Sequence, residues 1–575
     1  MRRPSRRAVA VVAMFLAGSG VAVAAGVIRP GVPAPPESGV PGSPASVAQW
    51  PLPPDVGPID LAAQENSRAA QLANLAALQL ARARAIGATP TAYLQPGAPI
   101  PTVVLAPRRA PYGLASLQRL ARGAVAVEGH GVYLVRANVL VQSGATLRLA
   151  SGRDPLTVRL LSGSEGFVSV MSFGGRIELA GSKQAPVTVE SWDPQAKTVD
   201  GRIADGRAYV RAVGGSLSVN DGRFVSLGFS AGPTSGVVAS RATSPKLAGL
   251  LPDVDVRDSE FVGGVDGLLV TGASRLAVTG STFGHNLLSG LELHQPPLDS
   301  VVSRDSAQQN GLDGFSVRGG SGSIALDSDT AIANRRYGFT VDGRSLAGTV
   351  VAGAQLTAAS AIGNEVAGVD LNEVVDSSVR SSTVADGPIG VIVSGAAEHV
   401  AIDANTMSGL TQRAVYVRDG ADGVNVADNQ IRKTATAVLV RDSSVTVSGN
   451  DVAISVYGDR LRHAVSYTGS VGDSAVFGNS FSGAGWSAVA TSGVQMGTVA
   501  VRDDDLATWR RMQGAPTHGQ PVLTWPTVAR VIMIFLFGLL AVGRYRPGSP
   551  KLPLQRTGEP SPVGDVTKSP VASRR

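Results

Sequence analysis

Cysteine is missing from all 575 positions, which excludes disulfides and thiolate chemistry and leaves stability to packing and backbone hydrogen bonds. Aromatic residues are scarce at 5% and charged residues at 17%, against 69 glycines; that balance suits turns joined by short β-branched runs. A phosphate loop, a zinc motif and a nucleophile elbow are also missing. His130, His285, His399, His463 and His518 show no ligand-like spacing. Gly319-Gly-Ser-Gly322 lacks the Asp of a calcium repeat, and Asp503-Asp504-Asp505 reads as a solvated run. No cofactor is expected, and calcium has no motif behind it.

An excess of positive charge is missing from the body of the chain as well. The net charge of +7 sits at the ends, where Arg2, Arg3, Arg6 and Arg7 supply +4 and residues 543–575 supply +5. The 535 residues between them carry −2. A polyanion such as nucleic acid is therefore not an expected partner of the central region.

What the chain does have is a repeat. A small residue followed by an apolar alternation recurs at Gly267-Leu268, Gly290-Leu291, Gly314-Phe315, Gly338-Phe339, Gly368-Val369, Gly390-Val391, Ala414-Val415 and Ala437-Val438, in steps of 23, 24, 24, 30, 22, 24 and 23 residues. A second series runs through Asn286, Asn310, Asn334, Asn364, Asp386, Asn405, Asn429 and Asn450. These are residue types that tolerate a left-handed backbone and bond their own loops, so they read as unit ends. Each unit holds two or three alternating runs of about four residues, such as Leu291–His294 and Val424–Ala427. That leaves no room for a helix of ordinary length, and neither leucine-rich repeats nor propeller blades fit the period. The remaining fold class is all-β: a parallel β-helix, a single-stranded solenoid expected over residues 112–505, whose coils bury a core that none could bury alone.

Around this solenoid the sequence predicts five other segments. Residues 1–28 combine a basic start with an uncharged stretch from Ala8 to Ile28, as in a signal peptide or an N-terminal anchor. Residues 29–111 read as Pro-rich linkers around an Ala-rich helix at 60–86, capped by Asp60, followed by Gly87 and presenting Leu72, Leu75 and Ala76 on one apolar face. A short cap helix is expected between Gly113 and Arg122, and a linker at 506–520 in which Leu506 to Met512 caps the far end. Residues 521–543 predict a transmembrane helix: Val531 to Val542 is uncharged, Trp525 precedes it and Arg544-Tyr545-Arg546 follows. The basic tail, 544–575, is then a disordered cytoplasmic segment, and the repeat domain stands outside the cell membrane.

Stacked coils of equal length put corresponding residues directly above one another. With the glycines as phase marks, Leu291, Phe315 and Phe339 face inward, and the outward set is Glu292 and His294, Ser316 and Arg318, Thr340 and Asp342, then Asp370 and Asn372. This line suits chemistry on an acidic sugar. A cation neutralises a uronate carboxylate and acidifies the proton at C5, and a base removes it, leading to epimerisation or β-elimination. Arg318 is the candidate cation, His294 the candidate base or acid, Glu292 its partner, and Asp342, Asp370, Ser316, Thr340 and Asn372 the candidate substrate-binding set. The alternative is an exposed ladder of opposite charges that sets register and contributes little energy.

The order of a short Leu-rich helix, Tyr133-Leu-Val-Arg-Ala-Asn138 with Gly144-Ala-Thr-Leu147, looped early coils and then 24-residue coils resembles the right-handed β-helix proteins of the alginate (mannuronan) C5-epimerase type, within the pectate-lyase-like carbohydrate-binding group. Members carry Asp-Pro-His-Asp after a Gly-aromatic or Gly-Leu pair. Here the stretch is Gly290-Leu-Glu-Leu-His-Gln295, with His294 at the motif's His, Glu292 at its first carboxylate, Leu293 for Pro and Gln295 for the last Asp. Asp313 stands where members often have a second His and joins the substrate-binding set. The resemblance implies a linear acidic polysaccharide as partner, either turned over or only bound, and polysaccharide-synthesis or export proteins as further partners.

Overall fold

The computed structural model describes residues 57–97, 99–242, 249–319, 323–344, 351–455 and 463–512. The segments expected to be a signal or anchor (1–28), a transmembrane helix (521–543) and a cytoplasmic tail (544–575) lie outside them. Among the described residues no helix is long and apolar enough to cross a membrane.

Each coil contributes one short strand to each of three parallel sheets. The first sheet has 16 strands and the second 14. The third runs from Val132–Val135 through the parallel pairs of the later coils to Asp505–Arg511. Seven consecutive strands of the first sheet carry the functional residues: β1 (Asp266–Thr271), β2 (Leu291–His294), β3 (Phe315–Arg318), β4 (Tyr337–Asp342), β5 (Ala367–Asn372), β6 (Ile389–Ser394) and β7 (Arg413–Arg418). The register is the one the repeat predicts: Leu268 pairs with Leu291, then Phe315, Phe339, Val369, Val391 and Val415. A period-2 strand in a closed coil must bury every second side chain, and a slip of one residue would turn that whole apolar row to solvent.

The core keeps its volume by moving bulk between walls. On the third sheet Phe224, Phe261 and Phe283 stack with centroids 5.0 and 5.1 Å apart. One coil on, that row continues as Ala307 and Ala331, and the large rings pass to the first sheet as Phe315 and Phe339, 5.0 Å apart. All seven are at most 2% exposed, as a close-packed interior requires.

Two side-chain ladders close the corners, and here the sequence reading needs correction. Asn286, Asn310, Asn334 and Asn364 stack between the third and first sheets, each backbone N–H donating to the next Asn Oδ1 at 3.0–3.1 Å. Asn405, Asn429, Asn450 and Asn479 form a different ladder, between the second and third sheets. Asp386 belongs to neither. It takes the left-handed position at φ 57°, equivalent to His285, Gln309 and Ala333, each immediately before its Asn. The Asn residues are therefore rungs, and the residue before each carries the positive φ.

Upstream, the second ladder continues as Ser281, Asp305 and Asp329. Both acids are buried, and Asp329 Oδ2 has no hydrogen-bond partner. Burial, together with the neighbouring carboxylates, raises Asp329 to about 8 and Asp305 to about 7. The native state thus keeps protons that the unfolded chain releases near pH 4, and stability falls as pH rises from there through about 8. Asp329→Asn supplies a neutral rung like those at 405 and 429. It should stabilise the protein by an amount that grows between about pH 4 and pH 8 and then levels off, about 1–3 kcal/mol at the plateau, read from melting temperatures across that range. A gain independent of pH would show that Asp329 titrates normally.

Upstream the fold departs from expectation. The first-sheet ladder begins at Thr102–Leu105, inside the expected linker, and Tyr93–Gln95 pairs antiparallel to it. Asp505–Arg511 is a strand of the third sheet rather than a cap or linker. Helix α1 (Ile59–Ala85) starts after Pro58 with no side-chain cap, so Asp60 lies inside its first turn. It lies on the outer face of the first sheet. Ala62, Ala69 and Ala76 pack with Val104, Leu140, Met171, Tyr209 and Phe229, and the buried Glu65 binds Arg68 and the Tyr209 hydroxyl (2.6 Å). Leu75, expected on the packed face, is 50% exposed; small alanines allow the helix a closer approach to the sheet than leucines would. Helix α2 (Leu114–Leu120) buries Leu117 over the first coils, as a cap should.

Candidate functional site

On the outer face of β1–β7 the predicted residues form two rows. Glu292, Ser316, Thr340 and Asp370 are register partners, and so are His294, Arg318, Asp342 and Asn372. Successive partners are about 4.8 Å apart. The inner row is far less exposed than an outward surface predicts: Ser316 is 1% exposed, Thr340 6% and Glu292 8%. In the outer row His294 and Arg318 reach solvent, with side chains 36% and 42% exposed, while Asn372 is buried. A weak surface ladder of opposite charges therefore does not describe this arrangement, because the central carboxylate is buried.

Glu292 organises the first cluster. Its Oε1 lies 2.7 Å from His294 Nε2 and 3.6 Å from Arg318 Nε, which also donates to Ser316 Oγ at 3.3 Å. Burial opposes its ionisation, but the His294 hydrogen bond and the Arg318 charge outweigh this and hold it at about 2. Beside it, Asp266 is shifted the opposite way, well above the usual carboxylate range, by burial and by the Glu292 charge. Asp266 Oδ1 accepts from the Ser289 N–H at 3.2 Å. Two neighbouring carboxyl groups are thus driven in opposite directions, Glu292 toward its ionised form and Asp266 toward its protonated one. Since an ionised Glu292 can only accept, His294 Nε2 carries the proton of that bond, and in the neutral imidazole the lone pair is then on Nδ1.

Asp313 is not in this cluster. It is fully buried and binds Arg336 through Nε (2.7 Å) and Nη2, and it accepts from the Tyr337 N–H at 3.3 Å. With no exposed surface and both carboxylate oxygens bound by Arg336, it offers nothing to a ligand. Asp342 is likewise engaged, by Arg344 Nε and Nη2 (3.1 and 3.2 Å) and by Asn372 Nδ2 (3.0 Å), and Ser394 donates to Asn372 Oδ1 at 3.2 Å. Asp370 is half-buried and accepts from Thr340 Oγ1 at 3.4 Å. Burial pushes it up to about 7 despite Arg336 and Arg418. Tyr337 is pushed up too, by burial and then by Asp370. His294, Arg318 and Asp342 are in line as expected, but Arg318 and Asp342 have separate partners, so the line works as two clusters.

Sequence reasoning missed Asp266, Arg336, Tyr337 and, further along, Arg413 and Tyr416. Asp266, Asp313 and Tyr337 had a signal, since each stands immediately before a phase glycine (267, 314 and 338). Arg336 had none, because it lies in the turn leading into β4.

Among the described residues no group of His, Cys, Asp and Glu is arranged to hold a metal ion. No family model matches the chain, and no curated protein does. Similar solved structures include the periplasmic alginate epimerase AlgG, 14% identical with a TM-score of 0.40 over 70% of this chain and 85% of that one. Another is the A-module of the mannuronan C-5 epimerase AlgE4 of Azotobacter vinelandii, 16% identical with a TM-score of 0.39 over 63% and 91%. A third is the pre-mature gene product 12 of bacteriophage phi29, 12% identical with a TM-score of 0.38 over 65% and 64%.

Proposed function

We propose that the outer face of β1–β7 binds a linear acidic polysaccharide outside the cell membrane, with the apolar stretch at 521–543 as the tether. The observation that carries this reading is a solvent-facing guanidinium held from behind: Arg318 is fixed through Nε by Ser316 and a buried, ionised Glu292, which turns its terminal nitrogens toward a sugar carboxylate. Thr340, Asn372 and Ser394 continue the face with hydroxyl and amide groups suited to sugar hydroxyls.

A second reading, turnover as a C5-epimerase or lyase, is favoured by the His294–Glu292 bond. It leaves Nδ1 as a base for a proton on the carbon next to the carboxylate, while Arg318 stabilises the charge that develops on that carboxylate. The engaged Asp313 removes one expected partner from this chemistry. Reading one leaves a purely polymer-retaining role, as part of an export assembly.

Full-length protein titrated with polymannuronate, polyguluronate and polygalacturonate should bind at least one of them, and Arg318→Ala should weaken that binding about 10–100-fold. If the protein also turns the polymer over, proton NMR will report C5 inversion, or ultraviolet absorbance new unsaturated ends, and His294→Gln will slow either by about 100-fold or more. Unaltered affinity in the Arg318 variant would remove this face as the binding site.

A further inference from the structure

Beyond the Glu292 cluster, the same row of β-strand positions leads to a second cluster that no motif announces. Ser316, Thr340, Asp370, Ile392 and Tyr416 follow Glu292 in register, which puts Tyr416 about 24 Å along the stack. Three arginines surround this ring. Arg413 lies 4.6 Å from its centroid and Arg418 5.5 Å, and Arg441 in the next coil hydrogen-bonds its side chain. Arg418 and Arg441 are balanced by Asp419 (3.3 Å) and Asp442 (3.4 Å). Among the described residues no carboxylate pairs with Arg413, so the cluster keeps one unbalanced positive charge. Arg418 Nε is buried without a hydrogen-bond partner, while its side chain as a whole is 32% exposed.

The Glu292 cluster has no such surplus, because Arg318 faces an ionised Glu292. Between the two, Asp342 pairs with Arg344 and Asp313 with Arg336, burial pushes Asp370 up to about 7 and so toward its neutral form, and Thr340, Asn372 and Ser394 are uncharged. In the opposite direction α1 covers the outer face as far as Tyr209, and Arg211, three register steps from Glu292, binds Asn66 of α1 at 3.0 Å. The longer uncovered run of the sheet for a ligand engaged at Arg318 leads toward Tyr416.

We infer that Arg413, Tyr416 and Arg418 form a second anion-binding station, which holds a carboxylate several sugars away from the one at Arg318 and makes binding depend on chain length. This rests on the reading that an acidic polysaccharide lies along the first sheet. The neutral middle tolerates uncharged sugars between the two stations, so the preferred ligand carries acidic groups at a spacing rather than necessarily on every residue. Linking two stations makes the second contact intramolecular, and affinity should rise once an oligomer is long enough to span both.

The test uses full-length protein in detergent and oligouronates graded from the dimer upward, with affinity measured by calorimetry. Wild type should bind oligomers longer than the span at least 10-fold more tightly than short ones. Arg413→Gln/Arg418→Gln should lose that gain and leave the affinity for short oligomers unchanged. If the double variant melts below wild type, Arg413→Gln alone, which has no ion pair to lose, carries the same comparison with a smaller loss. Unchanged affinity of the variant for long oligomers overturns the second station while leaving the Arg318 site intact, and so does an equal loss at every length. Absence of binding by wild type overturns both readings, and equal affinity of the station for single-stranded DNA overturns its assignment to sugar carboxylates.

Discussion

Asn310→Ala will lower stability by about 3–5 kcal/mol, a larger loss than most single substitutions cause. Asn310 is completely buried. Its Oδ1 accepts from the Asn286 N–H (3.1 Å) and from Asn286 Nδ2 (2.9 Å), and its Nδ2 donates to Phe283 O (3.1 Å) and Asn334 Oδ1 (2.9 Å). Alanine removes all four bonds and strands buried groups on both neighbouring coils, at about 1–3 kcal/mol for each group left unsatisfied. Denaturant titration followed by far-ultraviolet circular dichroism measures the effect. A loss below about 1 kcal/mol would mean that water replaces the amide and that the ladder is not the seam described here.

Arg336→Ala is expected to cost about 3–5 kcal/mol for a different reason. Asp313 has no exposed surface, and the Arg336 side chain is only 12% exposed. Removing the cation leaves a buried carboxylate with only the Tyr337 N–H, and an orphaned buried charge is far more costly than the pair is beneficial. The added substitution Asp313→Asn should therefore restore much of what Arg336→Ala loses. That rescue separates a charge effect from lost packing: if the double variant is as unstable as the single one, the guanidinium acts through its stem and its stacking 5.1 Å from the Tyr337 ring. Because Asp313 has no exposed surface and the Arg336 side chain is only 12% exposed, polymer affinity measured well below the melting temperature should change much less than it does in Arg318→Ala.

The two substitutions probe features of unequal legibility. The Asn residues were visible as a series, yet their single-file spacing concealed two corners, because a ladder is defined by which coil corner a residue occupies and not by its interval alone. Asp386 fitted the interval and still proved to be the left-handed residue rather than a rung. Among site residues, the pairing of His294 with Arg318 and Asp342 followed from equal coil lengths. The direction in which each side chain finds its partner did not. Asp313 is oriented by a turn residue, Arg336, which has no periodic signal, and Asp342 is held by Arg344 two positions away and by Asn372 of the next coil rather than by Arg318.

By itself the sequence determined the stacking, since a 24-residue period of alternating apolar residues can bury its apolar rows only by coiling in register. Charge location was equally plain from composition, because formal charges do not depend on the fold. Only the tertiary structure decided that Glu292 is buried beside Asp266 with the two carboxyl groups shifted in opposite directions, that α1 covers the first sheet as far as Tyr209, and that Arg413 and Arg418 gather around Tyr416. Those outcomes depend on desolvation and on contacts between side chains far apart in the chain, neither of which a linear spacing encodes.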